Sequence, residues 1–221
     1  MTDHKVLDGQ QPQWEQAFAK NKDMFGEMPS MAAVRAAKIF KAHGLTRILE
    51  LGAGQGRDTL FFAQNRFQVQ VLDYTAEGTE CIRQKAADHG LSDRITAIQH
   101  DIRKPFPFQE SSFDGCYSHM LYCMALTMSE LMDLTRQVRK VLPPGGLNIY
   151  TARHKGDPHY GQGINRGEDL YEVSGFIVHF FDRAKVLQLA DGYRITEIHE
   201  FEEGGLPRRL FQVALQKVEA E

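Results

Sequence analysis

The stretch ILELGAGQGRD, residues 48–58, decides the fold: a short apolar run leads there into three closely spaced glycines. The apolar run predicts a buried strand over residues 47–51, and the residues after the glycines predict a helix. Glycines at such a junction let the backbone turn tightly and approach a ligand at the helix N-terminus. We therefore expect a ligand-binding loop at Gly52, Gly54 and Gly56.

The spacing of these glycines differs from that of a dinucleotide-binding loop. That loop has the pattern G-x-G-x-x-G, whereas here the third glycine comes one residue early and Arg57 holds the expected place. Glu50, two residues before Gly52, suits a ligand with an ammonium or sulfonium group better than a pyrophosphate. A nicotinamide-dependent oxidoreductase on the same kind of sheet stays the second candidate.

Predicted strands and helices alternate along most of the chain. The predicted strands cover residues 47–51, 68–73, 94–100, 113–118, 147–152, 193–201 and 210–215. The predicted helix caps are Ser30, Thr75, Ser129 and Asp182. This order predicts an α/β fold with one Rossmann-like, doubly wound sheet of seven strands, mostly parallel with an antiparallel closing strand, and helices on both faces. Ligands of such sheets bind at the carboxyl ends of the strands.

Acidic residues stand at the ends of three successive predicted strands. Asp73 ends the second strand, where a carboxylate can accept hydrogen bonds from both hydroxyls of an adenosine ribose. Asp101 follows the third strand and is placed to accept a hydrogen bond from an exocyclic amine. Together with Glu50 and the acid-x-G-x-G-x-G pattern, this arrangement resembles the class I S-adenosylmethionine-dependent methyltransferases, over roughly residues 33–215.

The resemblance implies S-adenosyl-L-methionine as the cofactor and methyl transfer to a small-molecule acceptor, with S-adenosyl-L-homocysteine as the product. The positions that match the family's cofactor contacts are Glu50, Gly52, Gly54, Gly56, Asp73, Asp101, Ile102 and Ser118. The glycines would line the methionine part of the cofactor, and Asp73 would hold the ribose. Asp101 would hold the adenine amine, and Ile102 would pack against the adenine ring. Backbone near Ser118 and His119 would close over the sulfonium. A cofactor-binding protein without transferase activity is the third candidate.

Methyl transfer needs alignment, exclusion of water and, for a protonated nucleophile, a base. The polar side chains suited to these tasks are His119, Tyr122, His154, His159, Tyr160 and Tyr171. Core packing is the alternative for His119, and solvent exposure for His154 and His159. Residues 153–175 are too long and too polar for a simple connection, so we expect a mobile loop insertion that covers the acceptor.

Cys116, His119 and Cys123 have a C-x2-H-x3-C spacing that invites a zinc interpretation. Only three ligands are local and the stretch is apolar, so buried thiols are favoured and no metal is expected. Arg208 and Arg209 are able to receive an anionic substrate, although a solvated strand edge is the commoner role.

The chain divides into two parts. Residues 14–25 hold the only tryptophan and are amphipathic, which suits a lid over the cofactor site or simple packing equally. We therefore expect residues 1–30 to form an N-terminal lid or packing segment. Residues 31–221 would form the methyltransferase domain, with the insertion at residues 153–175.

Composition limits the class of protein. The length of 221 residues, with 42% hydrophobic and 25% charged residues, suits one globular domain. Lys plus Arg is 26 and Asp plus Glu is 29, so the chain has no excess of positive charge with which to bind a nucleic acid, and we expect no nucleic-acid partner.

No apolar run approaches the roughly 18 residues of a membrane helix and the start has no signal region, so we expect a cytoplasmic protein without a membrane partner. Three cysteines fit reduced thiols, and a monomer or homodimer is expected.

Overall fold

Seven helices and ten strands make up the part of the chain that the structure, a computed structural model, describes: residues 4–204 and 208–219. The helices are α1 (His4–Asp8), α2 (Gln10–Lys20), α3 (Met31–Ala42), α4 (Arg57–Gln64), α5 (Ala76–Asp88), α6 (Met128–Val141) and α7 (Arg183–Leu189). The strands are β1 (Arg47–Leu51), β2 (Gln68–Asp73), β3 (Ile95–Gln99), β4 (Gly115–Ser118), β5 (Leu147–Arg153), β6 (Ile164–Gly167), β7 (Leu170–Val173), β8 (Phe176–His179), β9 (Tyr193–Glu203) and β10 (Arg208–Lys217). None of the described helices combines the length and the hydropathy that a membrane span requires.

The main sheet has seven strands in the order β3-β2-β1-β4-β5-β10-β9. Neighbouring strands from β3 to β5 run parallel, and β10 is antiparallel to both β5 and β9. This confirms the expected Rossmann-like, mostly parallel seven-stranded sheet with an antiparallel closing strand. As a result, the carboxyl ends of β1 to β5 and the end of β9 meet at one edge, next to the start of β10.

Two large apolar clusters and a small third one form the core of the described residues. One large cluster contains buried residues of α6 and α7, such as Leu131 and Val186. The other large cluster contains buried residues of α3, α4 and α5, such as Phe40, Phe62 and Ile82. Burial of these helix faces against the strands is the main source of stability of such a fold. It also holds the strand ends in fixed positions.

Two of the four predicted caps are confirmed and two differ. Ser30 and Asp182 accept hydrogen bonds from backbone N–H groups at the starts of α3 and α7. Helix α6, however, is capped by Thr127, whose hydroxyl accepts from the N–H of Glu130 while the Glu130 carboxylate accepts from the N–H of Thr127. The prediction of a cap at Ser129 was therefore wrong, because this capping box starts the helix two residues earlier.

Helix α5 begins after Thr75, as expected, but the Thr75 side chain does not cap it. The Thr75 hydroxyl donates a hydrogen bond of 2.6 Å to Asp73 instead. The Glu15 carboxylate takes the place of the cap and accepts from the N–H groups of Ala76 and Glu77, at 2.6 and 3.1 Å. A carboxylate at a helix N-terminus is favourable because it satisfies free donors and faces the positive end of the helix dipole.

The insertion at residues 153–175 is not a plain loop. It contains β6 and β7, which form a three-stranded antiparallel sheet with β8. Glu168 and Asp169 have positive φ angles of 51° and 65°, and Ser174 and Gly175 of 53° and 83°. Both hairpins thus turn on two left-handed residues, the geometry whose twist matches the strands. Polar residues on such short, half-exposed strands concealed the alternation that identifies strands in a sequence.

Candidate active site

The glycine loop lies between β1 and α4, as predicted. Its glycines all have positive φ angles, of 65° at Gly52, 57° at Gly54 and 84° at Gly56. A Cβ atom at Gly56 would lie 2.6 Å from Ile82 of α5, so only glycine allows this approach of the loop to the helix. Gly78 of α5, which was not predicted from the sequence, also allows the loop and the helix to approach closely, since a Cβ there would lie 2.6 Å from the carbonyl oxygen of Gly54.

Asp73 is fixed against this loop at the end of β2. Its Oδ2 accepts from the N–H of Gly54 at 2.9 Å, and its Oδ1 accepts from the N–H and hydroxyl of Thr75 at 2.9 and 2.6 Å. Burial raises the pKa of this carboxyl, although the hydrogen bonds from Thr75 and Gly54 oppose the rise. The side chain is therefore oriented before any ligand arrives, and Oδ2 carries a single protein donor.

Glu50 is the most unusual group of the site. The residue is 2% exposed, and its Oε2 has no hydrogen-bond partner among the residues that the structure describes. Burial, together with the negative charge of Asp58, raises the pKa of Glu50 to about 8. A buried carboxylate without a cationic partner is costly. Such a group is stabilised when a positive charge binds beside it.

Asp101 follows β3 and lies at the same edge of the sheet. Its Oδ1 accepts from Nε of Arg103 at 3.0 Å, and its Oδ2 from Nη2 of Arg103 at 2.8 Å. Burial raises the pKa of Asp101, but the hydrogen bonds from Arg103 outweigh this effect and the net shift is downward. Ile102 is buried beside it, and its carbonyl oxygen accepts from the side chain of Gln137 at 3.2 Å.

Ser118 and His119 stand at the end of β4. Ser118 is fully buried, and its hydroxyl oxygen has no partner within the described residues. The Nδ1 atom of His119 lies 3.1 Å from the hydroxyl of Thr151, on β5. Its Nε2 lies 3.2 Å from Oε2 of Glu203, the last residue of β9. His119 was predicted from the sequence, whereas its two neighbours Thr151 and Glu203 were not.

The other histidine candidates lie in different surroundings. His154 stacks on Phe211 with ring centroids 4.6 Å apart, and its Nδ1 accepts from the N–H of Gly156 at 3.0 Å. Burial lowers the pKa of His154. Nδ1 of His159 lies 3.0 Å from a guanidinium nitrogen of Arg153. Both rings thus hold turns of the insertion, and the structure does not bring them to His119 by any hydrogen bond.

The tyrosine candidates are engaged in packing. Tyr122 is fully buried and stacks on Tyr150 at 4.0 Å, and its hydroxyl accepts from the side chain of Asn148 at 3.1 Å. Burial raises the pKa of the Tyr122 hydroxyl. In the insertion, Tyr160 donates to Asp169 at 3.0 Å and packs edge to face on Tyr171. These contacts favour a structural role for all three rings.

The cysteine pair does not assemble with His119. Cys116 and Cys123 are both buried, and burial raises the pKa of both thiols, that of Cys123 to about 11. The Cys123 thiol donates to the carbonyl oxygen of Met120 at 3.1 Å. In residues 4–204 and 208–219, no three His, Cys, Asp or Glu side chains are grouped so that they could hold a metal ion.

Residues 10–25, called here the cover segment, lie over the glycine loop. A Cβ atom at Gly54 would lie 3.4 Å from the ring of Phe18 and 3.6 Å from the ring of Phe25. The loop also binds the segment through Gln55, whose Oε1 accepts from the N–H of Met24 at 3.0 Å. The cover segment therefore packs directly against the glycine loop.

The cover segment also contacts the insertion. The side chain of Gln10 pairs with the backbone next to β8, donating to the carbonyl oxygen of Gly175 and accepting from the N–H of Ile177, both at 3.0 Å. Trp14 packs on Phe176 with ring centroids 4.6 Å apart. The cover segment thus contacts the three-stranded sheet β6-β7-β8, called here the insertion sheet, and the two together lie over the strand ends.

Of the two arginines in β10, Arg209 is committed to local contacts. Its Nε lies 3.1 Å from Glu202, and its backbone N–H donates to the buried carboxylate of Asp157 at 3.0 Å. Arg208 is exposed and pairs in register with Glu203 across the hairpin. The strand-edge interpretation of the two arginines is nevertheless wrong, because β10 lies between β5 and β9 and is not an edge strand.

Comparison with known proteins gives a consistent result. Residues 48–146 match the family model of a methyltransferase domain. The chain is 27% identical over 174 residues to 24-methylenesterol C-methyltransferase 2 of Oryza sativa subsp. japonica, covering 71% of this chain and 46% of that protein. It is 29% identical over 113 residues to a malonyl-[acyl-carrier protein] O-methyltransferase of Enterobacter lignolyticus (strain SCF1), covering 50% of this chain and 40% of that protein. The chain thus spans less than half the length of these two curated relatives.

A solved structure with a similar fold is the 1,6-didemethyltoxoflavin-N1-methyltransferase of Burkholderia thailandensis, determined with 1,6-didemethyltoxoflavin and S-adenosylhomocysteine bound. The TM-score is 0.75 at 15% sequence identity, and the match covers 99% of this chain and 92% of the other. A likeness at this level of identity concerns the fold. It includes the residues of the cover segment and of the insertion sheet.

Proposed function

We propose that this chain, which belongs to the class I S-adenosylmethionine-dependent methyltransferases, transfers a methyl group from S-adenosyl-L-methionine to a small-molecule acceptor. The observation that carries the proposal is the buried carboxyl of Glu50, which lies behind the glycine loop and whose Oε2 has no partner among the described residues. An ammonium or sulfonium group at the loop stabilises the ionised form of this group. A pyrophosphate would add a like charge.

The residues of the site fit the cofactor in three further respects. The three glycines contribute no side chains of their own to the loop between β1 and α4, at the N-terminus of the helix. Asp73 is oriented by Gly54 and Thr75 and keeps capacity at Oδ2 to accept from the ribose hydroxyls. Asp101 is held by Arg103 at the end of β3, where we propose that it accepts from the adenine amine, with Ile102 against the ring.

When bound, S-adenosyl-L-methionine supplies a methyl carbon that its sulfonium already activates, so the protein need not form a covalent intermediate. The chain's residues align the acceptor, exclude water and, where the acceptor atom carries a proton, remove it. We assign proton removal to His119, the candidate base that lies at a strand end beside a carboxylate. The cover segment and the insertion sheet exclude water, since they meet above the strand ends.

Ligand-induced thermal stabilisation tests the proposal. A ligand that binds only the folded state raises the midpoint of unfolding in proportion to its affinity and concentration. We expect S-adenosylhomocysteine to raise the melting temperature in a concentration-dependent way and NAD to leave it unchanged. Stabilisation by NAD, or no response to S-adenosylhomocysteine over a millimolar range, would contradict the proposal.

A further inference from the structure

Three elements that are distant in the sequence bring their polar side chains together beside the end of β4. His119 follows β4, Glu203 ends β9, and Arg57 opens α4 after the glycine loop. Nε2 of His119 lies 3.2 Å from Oε2 of Glu203, and Nη2 of Arg57 lies 3.3 Å from Oε1 of the same carboxylate. The side chains of His119 and Glu203 are only 14% and 18% exposed. Solvent therefore screens this contact less than it screens a surface ion pair.

Charge decides which nitrogen of His119 carries the proton. Burial raises the pKa of Glu203, but His119 and Arg57 outweigh this effect, so the net shift is downward and the side chain is a carboxylate. An anionic oxygen facing Nε2 requires a hydrogen on that nitrogen, because two lone pairs would repel each other. The lone pair of Nδ1 in the neutral ring then accepts from the Thr151 hydroxyl, whose oxygen lies 3.1 Å away.

The backbone next to His119 is held in an unusual conformation by the same threonine. Met120 has a φ angle of 61°, in the left-handed region that residues other than glycine rarely adopt. Its N–H donates to the hydroxyl oxygen of Thr151 at 2.8 Å. Thr151 thus fixes the turn that carries His119 and also contacts the ring. Backbone strain of this kind persists where the surroundings hold a residue for a function.

We propose that Glu203 is a positioning residue, which holds His119 with its proton on Nε2 and its Nδ1 lone pair toward the Thr151 hydroxyl, so that His119 takes the acceptor's proton through Thr151. This inference rests on the proposed function and extends it to a residue of the closing hairpin. As the acceptor atom gains the methyl group, its proton passes to the oxygen of Thr151 while the hydroxyl proton of Thr151 passes to Nδ1. The Thr151 oxygen then accepts from the N–H of Nδ1, and the carboxylate of Glu203 stabilises the positive charge of the imidazolium.

A full hydrogen bond between the pair is not yet formed in this structure. The Oε2 atom of Glu203 has no partner of good hydrogen-bond geometry within the described residues, although Nε2 of His119 is close. Such pairs are often poorly aligned before the ligands bind and tighten afterwards. If Glu203 served only as an ion pair with Arg57, it would hold the β9–β10 hairpin on α4, and ligand binding would not shorten its contact with His119.

Proton nuclear magnetic resonance separates the two roles without a known acceptor. An imidazole N–H that donates to a carboxylate gives a strongly downfield resonance, which is assigned to His119 by its loss in His119→Asn. The experiment uses the full-length protein at pH 8 with saturating S-adenosylhomocysteine. The variants are Glu203→Gln, which removes the charge, Glu203→Asp, which keeps it, and the control Glu202→Gln, which removes an exposed ion pair from the same strand.

We expect the His119 resonance in the wild type, in Glu202→Gln and, weakened, in Glu203→Asp, and an upfield shift or loss in Glu203→Gln. The resonance should sharpen on addition of S-adenosylhomocysteine. Its absence from the wild type, or an unchanged position in a Glu203→Gln protein that still melts cooperatively, would overturn the inference. An equal shift in Glu202→Gln would do so as well. Failure of S-adenosylhomocysteine to bind the wild type would instead count against the proposed function.

Discussion

Replacement of Glu50 by glutamine should make the ligand-free protein more stable at neutral pH. The carboxyl is almost completely buried, its Oε2 has no partner in the described part of the chain, and its pKa is raised from 4.5 to about 8 by burial and by Asp58. Each unit of pKa shift corresponds to about 1.4 kcal/mol. At pH 7, 2.5 units above 4.5, the folded protein holds a proton that the unfolded chain releases, which costs the folded state about 3 kcal/mol.

The sign of the pH dependence follows from the direction of the shift. Between pH 4.5 and about 8 the folded protein binds this proton more tightly than the unfolded chain, so its stability falls as the pH rises through that window. Below the window Glu50 is protonated in both states, and glutamine mimics it. The gain in stability of Glu50→Gln over the wild type should therefore be near zero at pH 4.5 and grow to about 3 kcal/mol at pH 7.

Urea denaturation at several pH values between 4.5 and 8 measures this difference, provided that both proteins unfold in one cooperative transition. Glu110→Gln is a matched control, because that carboxylate is 73% exposed and its removal should give no pH-dependent difference. The same Glu50→Gln protein should bind S-adenosylhomocysteine more weakly, since the loop has lost its countercharge. A stability difference that does not change with pH would refute the reasoning.

Three further predictions concern other parts of the molecule. Asp73→Ala should weaken S-adenosylhomocysteine binding by about ten- to a hundredfold in calorimetry, because each charge-assisted bond lost costs about 1.5 to 3 kcal/mol; unchanged affinity would remove Asp73 from the site. Thr127→Ala should lower the free energy of unfolding by about 1 kcal/mol through loss of the capping box, while Ser129→Ala should change it little; equal effects in denaturant titrations would contradict the assigned cap. Phe18→Ala should cost about 3 kcal/mol or less of stability and speed the release of S-adenosylhomocysteine in stopped-flow measurements, because this ring covers Gly54; an unchanged release rate would show that the cover segment does not retain the ligand.

The parts of the site that the sequence made predictable are close together in the chain. The glycine loop, Glu50 and Asp73 follow from an apolar run, three glycines and an acid at the end of the next strand, and the structure brings Asp73 within hydrogen-bond distance of Gly54. His119 was recognisable as a polar residue after the fourth strand. The start of α6 was missed because Thr127 and Ser129 offer the same capping chemistry, and only the reciprocal contact with Glu130 separates them.

The change between strand and helix periods along the chain by itself determined the Rossmann-like sheet, because such periods are local properties of a sequence. Tertiary structure alone decided what surrounds the carboxyl ends of its strands. Glu203 meets His119 across 84 positions of the chain only because β9 returns antiparallel beside β10. Gln10 joins the cover segment to the insertion only because both fold over the same strand ends. Such contacts depend on which surfaces remain free after the core has formed, and local patterns in the sequence do not predict them.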